Sequence, residues 1–331
     1  MSPPSDVERH PPTQVPAQEE ISVTEQSAAP ARTLEGRTAI VTGAGGGIGA
    51  GIARALGRAG ASLVVNDFGV SLDGTSASTS QAPSVVDEIT AAGGQAVLDG
   101  ADVGDHQQAG ELVRRAVTEF GRLDVLVNAA GIIRDRMIFN LGEDDWDAVI
   151  RVHLKGTYNT THFASQWWRD HRGEGDYRLV NLISGAGLFG APGQPSYAAA
   201  KMGIVGLTQS CANALQRYGV SSVSVSPGAS TRMTSAVPAD RAAQVGIRSD
   251  DEMAPENVAP GVVYLAGPSS SWLNGCTVGF RGYRLQLYSP FEVTREVVAT
   301  QPWTPSAAGE AMEATFRPAL EKTNMFQEQT R

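Results

Sequence analysis

The sequence predicts a doubly wound α/β fold, one parallel sheet with helices on both faces. Three observations carry this. From Leu34 onward, short apolar runs alternate with helical patterns, the order that βαβ crossovers require. The runs are continuously apolar rather than alternating, as in strands covered on both faces. A glycine-rich turn, Thr42-Gly43-Ala44-Gly45-Gly46-Gly47-Ile48-Gly49, joins the first run to the first helical pattern.

Residues 38–42 (TAIVT) read as the first strand. Residues 48–59 read as a helix that Gly60 breaks, because glycine loses the most backbone entropy in a helix. Residues 62–67 (SLVVND) form a second strand, 85–92 a helix and 95–98 a short strand. In 107–120, Leu112, Val113, Ala116, Val117 and Phe120 fall on one helical face. A strand at 123–128 precedes a long helix at 143–169 and a strand at 178–184. A helix at 197–218 and a strand at 220–226 follow, with a last strand signal at 276–279.

Three stretches stand outside this pattern. Residues 1–33 hold six prolines and five acids against two arginines. They lack an apolar stripe able to offset ordering entropy, so they read as a disordered tail. They have no apolar core of a signal peptide and are too acidic for a transit peptide, so a cytoplasmic location is expected. Residues 70–84 are small and polar and read as a flexible insertion. Residues 283–331 form an extension whose aromatics, Tyr288, Phe291, Trp303 and Phe316, should dock on the domain or on a partner subunit. Pro302, Pro305 and Pro318 argue against a long helix there. The remaining 34–282 read as one domain.

A formal net charge of −9 argues against nucleic acid or an anionic membrane as the partner. No apolar run approaches the roughly 18 residues of a membrane-spanning helix. Cys211 and Cys276 are far apart, and the five histidines are scattered without ligand spacing, so no metal is expected.

The glycine turn lets backbone approach a phosphate, and the helix N-terminus behind it presents free N–H groups with a partial positive charge. This suits the pyrophosphate of a dinucleotide. Asp67 ends the second strand 18 residues after Gly49. A carboxylate there accepts from the ribose 2′-hydroxyl and repels a 2′-phosphate. No Lys or Arg lies within residues 43–53, so NAD is the expected cofactor.

Tyr197 and Lys201 share a helix face at i and i+4. An ammonium beside a phenol favours the phenolate, so the pKa of Tyr197 should fall below its ordinary value near 10. Ser184, at a strand end, can hold a substrate oxygen while Tyr197 moves its proton. Together these residues suit hydride transfer at a secondary alcohol.

Ordered along the chain, TGAGGGIG (42–49), Asp102-Val103, Asn128-Ala129-Ala130-Gly131, Ser184, Tyr197-x-x-x-Lys201 and Pro227-Gly228-Ala229-Ser230-Thr231 resemble the short-chain dehydrogenase/reductase family over residues 36 to about 282. The resemblance implies a single Rossmann-like domain with a sheet of about seven strands, and a homodimer or homotetramer. It implies catalytic roles for Ser184, Tyr197 and Lys201. It also implies cofactor contacts from Gly43, Gly47, Ile48, Gly49, Asp67, Asp102, Val103, Asn128, Gly131, Tyr197, Lys201, Pro227, Gly228 and Thr231.

His153 stands where many members carry an asparagine that relays protons through the lysine. It is either a packed residue or a replacement relay, since imidazole both donates and accepts. This substitution, Asn66-Asp67-Phe68-Gly69 with its polar insertion, Ile132-Ile133-Arg134-Asp135-Arg136, Asp145-Trp146-Asp147 and RVHLKGTY (151–158) narrow the resemblance. They look like the dehydrogenase units of peroxisomal multifunctional β-oxidation enzymes and their bacterial stand-alone relatives. That implies NAD-dependent oxidation of a (3R)-3-hydroxyacyl-CoA, with a hydroxysteroid or another hydrophobic secondary alcohol as the alternative. A non-catalytic dinucleotide-binding module is the reading from a different class. The segment 229–254 reads as a lid, with Met233, Val237, Pro238, Ile247 and Met253 for an apolar substrate. Its arginines 232, 241 and 248 are either CoA-phosphate contacts or solvated loop charge.

Overall fold

A computed structural model describes residues 32–78, 80–229, 251–289 and 291–323. Thr231, the arginines of the expected lid and nearly all of the expected N-terminal tail lie outside these residues. The sheet strands are β1 (Thr38–Thr42), β2 (Ser62–Asn66), β3 (Gln95–Asp99), β4 (Val125–Asn128), β5 (Tyr177–Leu182), β6 (Val220–Gly228), β7 (Thr277–Arg281) and β8 (Arg284–Tyr288). Their spatial order is β3-β2-β1-β4-β5-β6-β7-β8. All pair in parallel except β7 and β8, which form an antiparallel hairpin. The sheet therefore has eight described strands, one more than the seven expected, and it continues past residue 282.

The apolar strands sort their side chains to two faces, as a period of two requires. Ala39, Val41, Leu63 and Val65 pack with Ile52 and Leu56 of α1 (Gly47–Arg58) and with Leu265 of the helix Ala259–Ala266. Ile40 and Val64 face the other way, onto Leu112 and Ala116 of α3 (His106–Phe120) and Trp168 of α5 (Gly156–Asp170). Between α1 and α3 lies α2 (Ala82–Ala91), on the α1 side through Val85 and Ile89. Trp168 is fully buried, and its indole donates to Leu123 O at 2.9 Å. Its place in the sequence is thus explained by the core.

The strand order reverses between β1 and β4, whose neighbours run outward to β3 on one side and β8 on the other. In such sheets the crevice beyond the carboxyl ends at this switch point is where ligands bind.

Four sequence expectations need correction. The helix expected at 143–169 is α4 (Glu143–Ile150), one π-turn (Arg151–Lys155) and α5. The backbone stays helical through Ile150, Arg151 and Gly156, so only the hydrogen-bond register changes. The insertion after β2 is not shapeless. The Asp73 carboxylate accepts from Ser71 Oγ, Thr75 N and Thr75 Oγ1, and Val70 bridges to Ala77. The C-terminal extension does form a long helix, Pro305–Thr323. Pro305 opens that helix, where its missing N–H is no loss, and the helix is carried past Pro318. Finally, Arg284–Tyr288 is a strand whose side chains are largely exposed, which is why no apolar run marks it. Among the described residues, no helix is long and apolar enough to cross a membrane.

Candidate active site

Candidate residues come from the carboxyl ends of six strands, β1 to β6. After β1 the chain turns at Gly43, where φ is +64°, a backbone region only glycine adopts freely. A Cβ on Gly43 would lie 2.7 Å from Ala130 Cα, and one on Gly49 would lie 2.3 Å from Gly43 O. The turn is therefore wound too tightly for side chains at those places. Thr42 Oγ1 accepts from the N–H groups of Ala129 and Ala130 at 3.0 and 3.1 Å. That hydroxyl clips the end of β1 to the segment leaving β4.

Helix α1 then begins at Gly47 with no capping side chain and no acid in its first turn. Its N–H groups and dipole are left for an external anion. A cradle that a Cβ would fill, next to an uncapped helix, fits a dinucleotide pyrophosphate.

Asp67 follows β2. Its carboxylate accepts from Gly45 N and Gly69 N, each at 2.9 Å. It therefore lies across the glycine turn. Asp102 is 8% exposed and pairs with the Arg151 guanidinium while accepting from Gly104 N at 2.8 Å. Neighbouring Val103 is fixed by its carbonyl, which accepts from the buried Asn159 Nδ2 at 2.9 Å. Asn128 turns its side chain inward: Nδ2 donates to Asn181 Oδ1 at 2.9 Å, and Oδ1 accepts from Thr160 Oγ1 at 2.7 Å. Pro227 and Gly228 end β6.

Ser184 follows β5 and caps α6 (Gly185–Phe189), where its Oγ accepts from Ala186 N at 3.2 Å. Helix α7 (Pro195–Leu215) carries Tyr197 and Lys201 on one face. The Lys201 ammonium is buried and donates to Leu182 O at 2.7 Å. Its Nζ stands 5.6 Å from the Tyr197 ring centre. Ser184 acts on the Tyr197 phenol in the direction that favours the phenolate.

The electrostatics differ from the expectation. Loss of solvation drives the Tyr197 phenol up to about 12, against the hydrogen bond from Ser184 and helped by the Asp135 charge. The same loss brings Lys201 down to about 7. Burial thus dominates both groups in the free protein.

His153 lies on the π-turn, 2% exposed. Burial first, and then the Lys201 charge, hold its imidazole down at about 3, so the ring is neutral. Its Nε2 lies 2.8 Å from Ile132 O and 3.1 Å from Ile132 N, and Nδ1 has no partner among the described residues.

Several residues escaped the sequence reading. Thr42, Asn159, Thr160 and Asn181 act through contacts distant in sequence that no local spacing signals. Gln194 is another: its Nε2 donates to Asp135 Oδ2 at 2.9 Å, and Arg136 N donates to Gly193 O at 2.8 Å. These bonds tie the 131–136 segment to the start of α7. Two of the segments that narrowed the resemblance also join, since Arg134 and Arg136 both pair with Asp145.

Residues 37–242 match the family model described as short chain dehydrogenase. The hydroxyacyl-CoA dehydrogenase ChsB1 of Mycobacterium tuberculosis is 40% identical over 304 residues, which is 86% of this chain and 92% of that protein. The peroxisomal multifunctional enzyme type 2 of Mus musculus is 40% identical over 239 residues, 71% of this chain and 30% of its own length. The chain therefore spans about a third of that longer relative. A short chain dehydrogenase from Mycobacterium avium superposes with a TM-score of 0.76 at 44% identity, covering 86% of this chain and 96% of that one. A short chain dehydrogenase from Burkholderia cenocepacia in complex with NADP gives a TM-score of 0.66 at 30% identity, covering 76% and 98%. The switch-point crevice, the glycine cradle and these likenesses agree: the chain belongs to the short-chain dehydrogenase family and is an oxidoreductase acting on CH–OH groups.

Proposed function

We propose that the protein catalyses the reversible, NAD-dependent oxidation of a (3R)-3-hydroxyacyl-CoA to its 3-ketone. The observation that carries this is the convergence of Ser184, Tyr197 and Lys201 at the strand ends beside a turn crossed by Asp67. Two relatives with names drawn from acyl-CoA and peroxisomal multifunctional chemistry support the substrate class.

A nicotinamide dinucleotide, when bound, supplies the hydride acceptor and, oxidised, a positive charge. Gly43, Gly47, Ile48 and Gly49 would hold its pyrophosphate. Asp67 would hold the adenosine ribose, with Asp102, Val103, Asn128, Gly131, Pro227, Gly228 and Thr231 along its length.

Ser184 donates a hydrogen bond to the substrate oxygen. Tyr197 exchanges the proton with that oxygen. With a phenol near 12, the free protein holds Tyr197 as an acid, suited to protonating a ketone. It becomes a base for oxidation when positive charge enters the site. Lys201, fixed by Leu182 O, supplies part of that charge when protonated. We include a homodimer or homotetramer and a cytoplasmic location in this reading; light scattering tests the first and cell fractionation the second.

The test is NADH formation from NAD with a long-chain (3R)-hydroxyacyl-CoA, its (3S) epimer and a 17β-hydroxysteroid. Preference for the (3R) thioester is expected. Preference for the steroid, or for NADP over NAD, overturns the corresponding half of the proposal.

A further inference from the structure

The wall of the glycine turn includes a polar side chain that the strand–turn–helix pattern does not supply. Gly45 sits between two polar groups. A Cβ built on it would lie 2.5 Å from Asp67 Oδ2 and equally 2.5 Å from Ser80 Oγ. A carboxylate and a hydroxyl from different segments therefore converge on one small space, which Gly45 keeps open by having no side chain.

Ser80 reaches that space on a closed loop. Gly69 N donates to Asp67 Oδ1, and Ser78 N donates back to Gly69 O at 2.8 Å. The chain between them turns around Asp73. The tip is held from across the crevice, where Leu72 O accepts from Ile133 N at 2.9 Å and Asp73 O accepts from Arg134 Nε at 2.8 Å. The loop from Gly69 to Ser78 is thus held at its ends and at its tip, and Ser80 Oγ is itself fixed by Ala82 N at the start of α2.

The donor and acceptor counts then define a ligand. Each Asp67 oxygen accepts one backbone N–H and keeps a further lone pair. Ser80 Oγ accepts from Ala82 N at 3.1 Å, which leaves its own proton free to donate. The pair can therefore take hydroxyl protons on one side and give a proton on the other, which matches neighbouring hydroxyls of a ribose. A 2′-phosphate offers acceptors only and brings up to two negative charges toward Asp67.

The geometry points to Ser80 as a second ribose-binding residue, acting with Asp67 to hold the adenosine ribose hydroxyls of NAD and to select against NADP. This rests on the reading of Asp67 as the ribose-facing acid.

The test is calorimetric titration of the full chain with NAD and with NADP, without substrate. Wild type, Ser80→Ala and Asp67→Asn are compared, with cofactor-free thermal unfolding recorded for each. Ser80→Ala should weaken NAD about fivefold, the worth of one neutral hydrogen bond, and leave NADP within about twofold. A purely structural role, loss of the bond from Ala82 N, would weaken both dinucleotides alike. An unchanged NAD-to-NADP ratio in Ser80→Ala, with a narrowed ratio in Asp67→Asn, overturns the role of Ser80 alone. A wild type that prefers NADP, or an Asp67→Asn variant with an unchanged ratio, overturns the reading of Asp67 on which it rests.

Discussion

The His153 imidazole meets the Tyr197 ring edge to face, 5.1 Å between centres and 87° between planes. This contact places the residue that departs from the family's usual asparagine directly against the phenol. His153 lies on the π-turn, and its chain neighbours Val149, Ile150, Val152 and Leu154 pack in the cluster that also holds Tyr197. The other side of the ring meets backbone. A Cβ on Gly131 would lie 2.3 Å from His153 Cε1. Gly131 is absent from the positive-φ glycines, so the ring, not the backbone angle, demands glycine there.

Gly131→Ala should therefore destabilise the protein by about 1–3 kcal/mol, the range for overpacking a tight interior. In a His153→Ala background the added methyl should cost less than about 0.5 kcal/mol. Denaturant unfolding of the two single variants and the double variant reads the coupling. Additive costs would mean that His153 is not what excludes the methyl.

His153 also sets a pH dependence. Its ordinary value of 6.5 falls to about 3 in the fold. Between those values the unfolded chain binds a proton that the native state refuses. Stability therefore falls as pH drops through that window, by up to about 1.4 kcal/mol per pH unit from this residue. His153→Asn should flatten the fall in unfolding free energy between pH 6.5 and 4 relative to wild type. Parallel curves for the two proteins would contradict the neutral, buried ring.

The fold was legible because strands such as β1, β2, β4 and β5 are largely apolar, buried runs separated by helical patterns. β8 was illegible for the converse reason: Leu285 and Leu287 remain 81% and 68% exposed, so the strand is held by backbone pairing to β7 rather than by burial. Ser184, Tyr197 and Lys201 were legible as a spacing. Their proton affinities were not, because desolvation depends on what packs around them, as the rise of Tyr197 to about 12 shows. The π-turn left no trace, since its residues keep helical angles. The helix through Pro318 was misread because a proline penalty of ~3 kcal/mol is a local term that other helix contacts can offset. Thr42, Asn128 and Asn181 act across strands, and no local pattern joins them.

Tyr197→Phe should lower kcat by about 10²–10⁴-fold, the usual contribution of a positioned proton donor or acceptor. The ring, its edge contact with His153 and the neighbouring Lys201 would remain, so NAD affinity by titration should stay within about twofold. Turnover at the wild-type rate would remove Tyr197 from the proposed chemistry. A large loss of NAD affinity instead would make its main role structural.

The network under the crevice gives the last test. Asn181 is fully buried and links β5 to its neighbours: its Oδ1 accepts from Asn128 Nδ2, and its Nδ2 donates to Thr208 Oγ1 on α7, both at 2.9 Å. Thr208 in turn donates to Ile204 O at 2.7 Å and so keeps its own proton satisfied. Asn128 is left with only a 3.4 Å contact to Thr161 for its amide. Asn181→Ala should then cost about 1–3 kcal/mol for each polar group orphaned, plus the cavity left behind. Because Asn128 leads directly into the 129–131 segment that Thr42 clips, the variant should also weaken dinucleotide binding without touching it. Asn181→Asp tests the same point from the acceptor side. It can still accept from Asn128, so it should retain more dinucleotide affinity than the alanine variant even though a buried carboxyl lowers stability. Equal dinucleotide affinity in the alanine variant and wild type would mean that the strand ends hold their positions without this network.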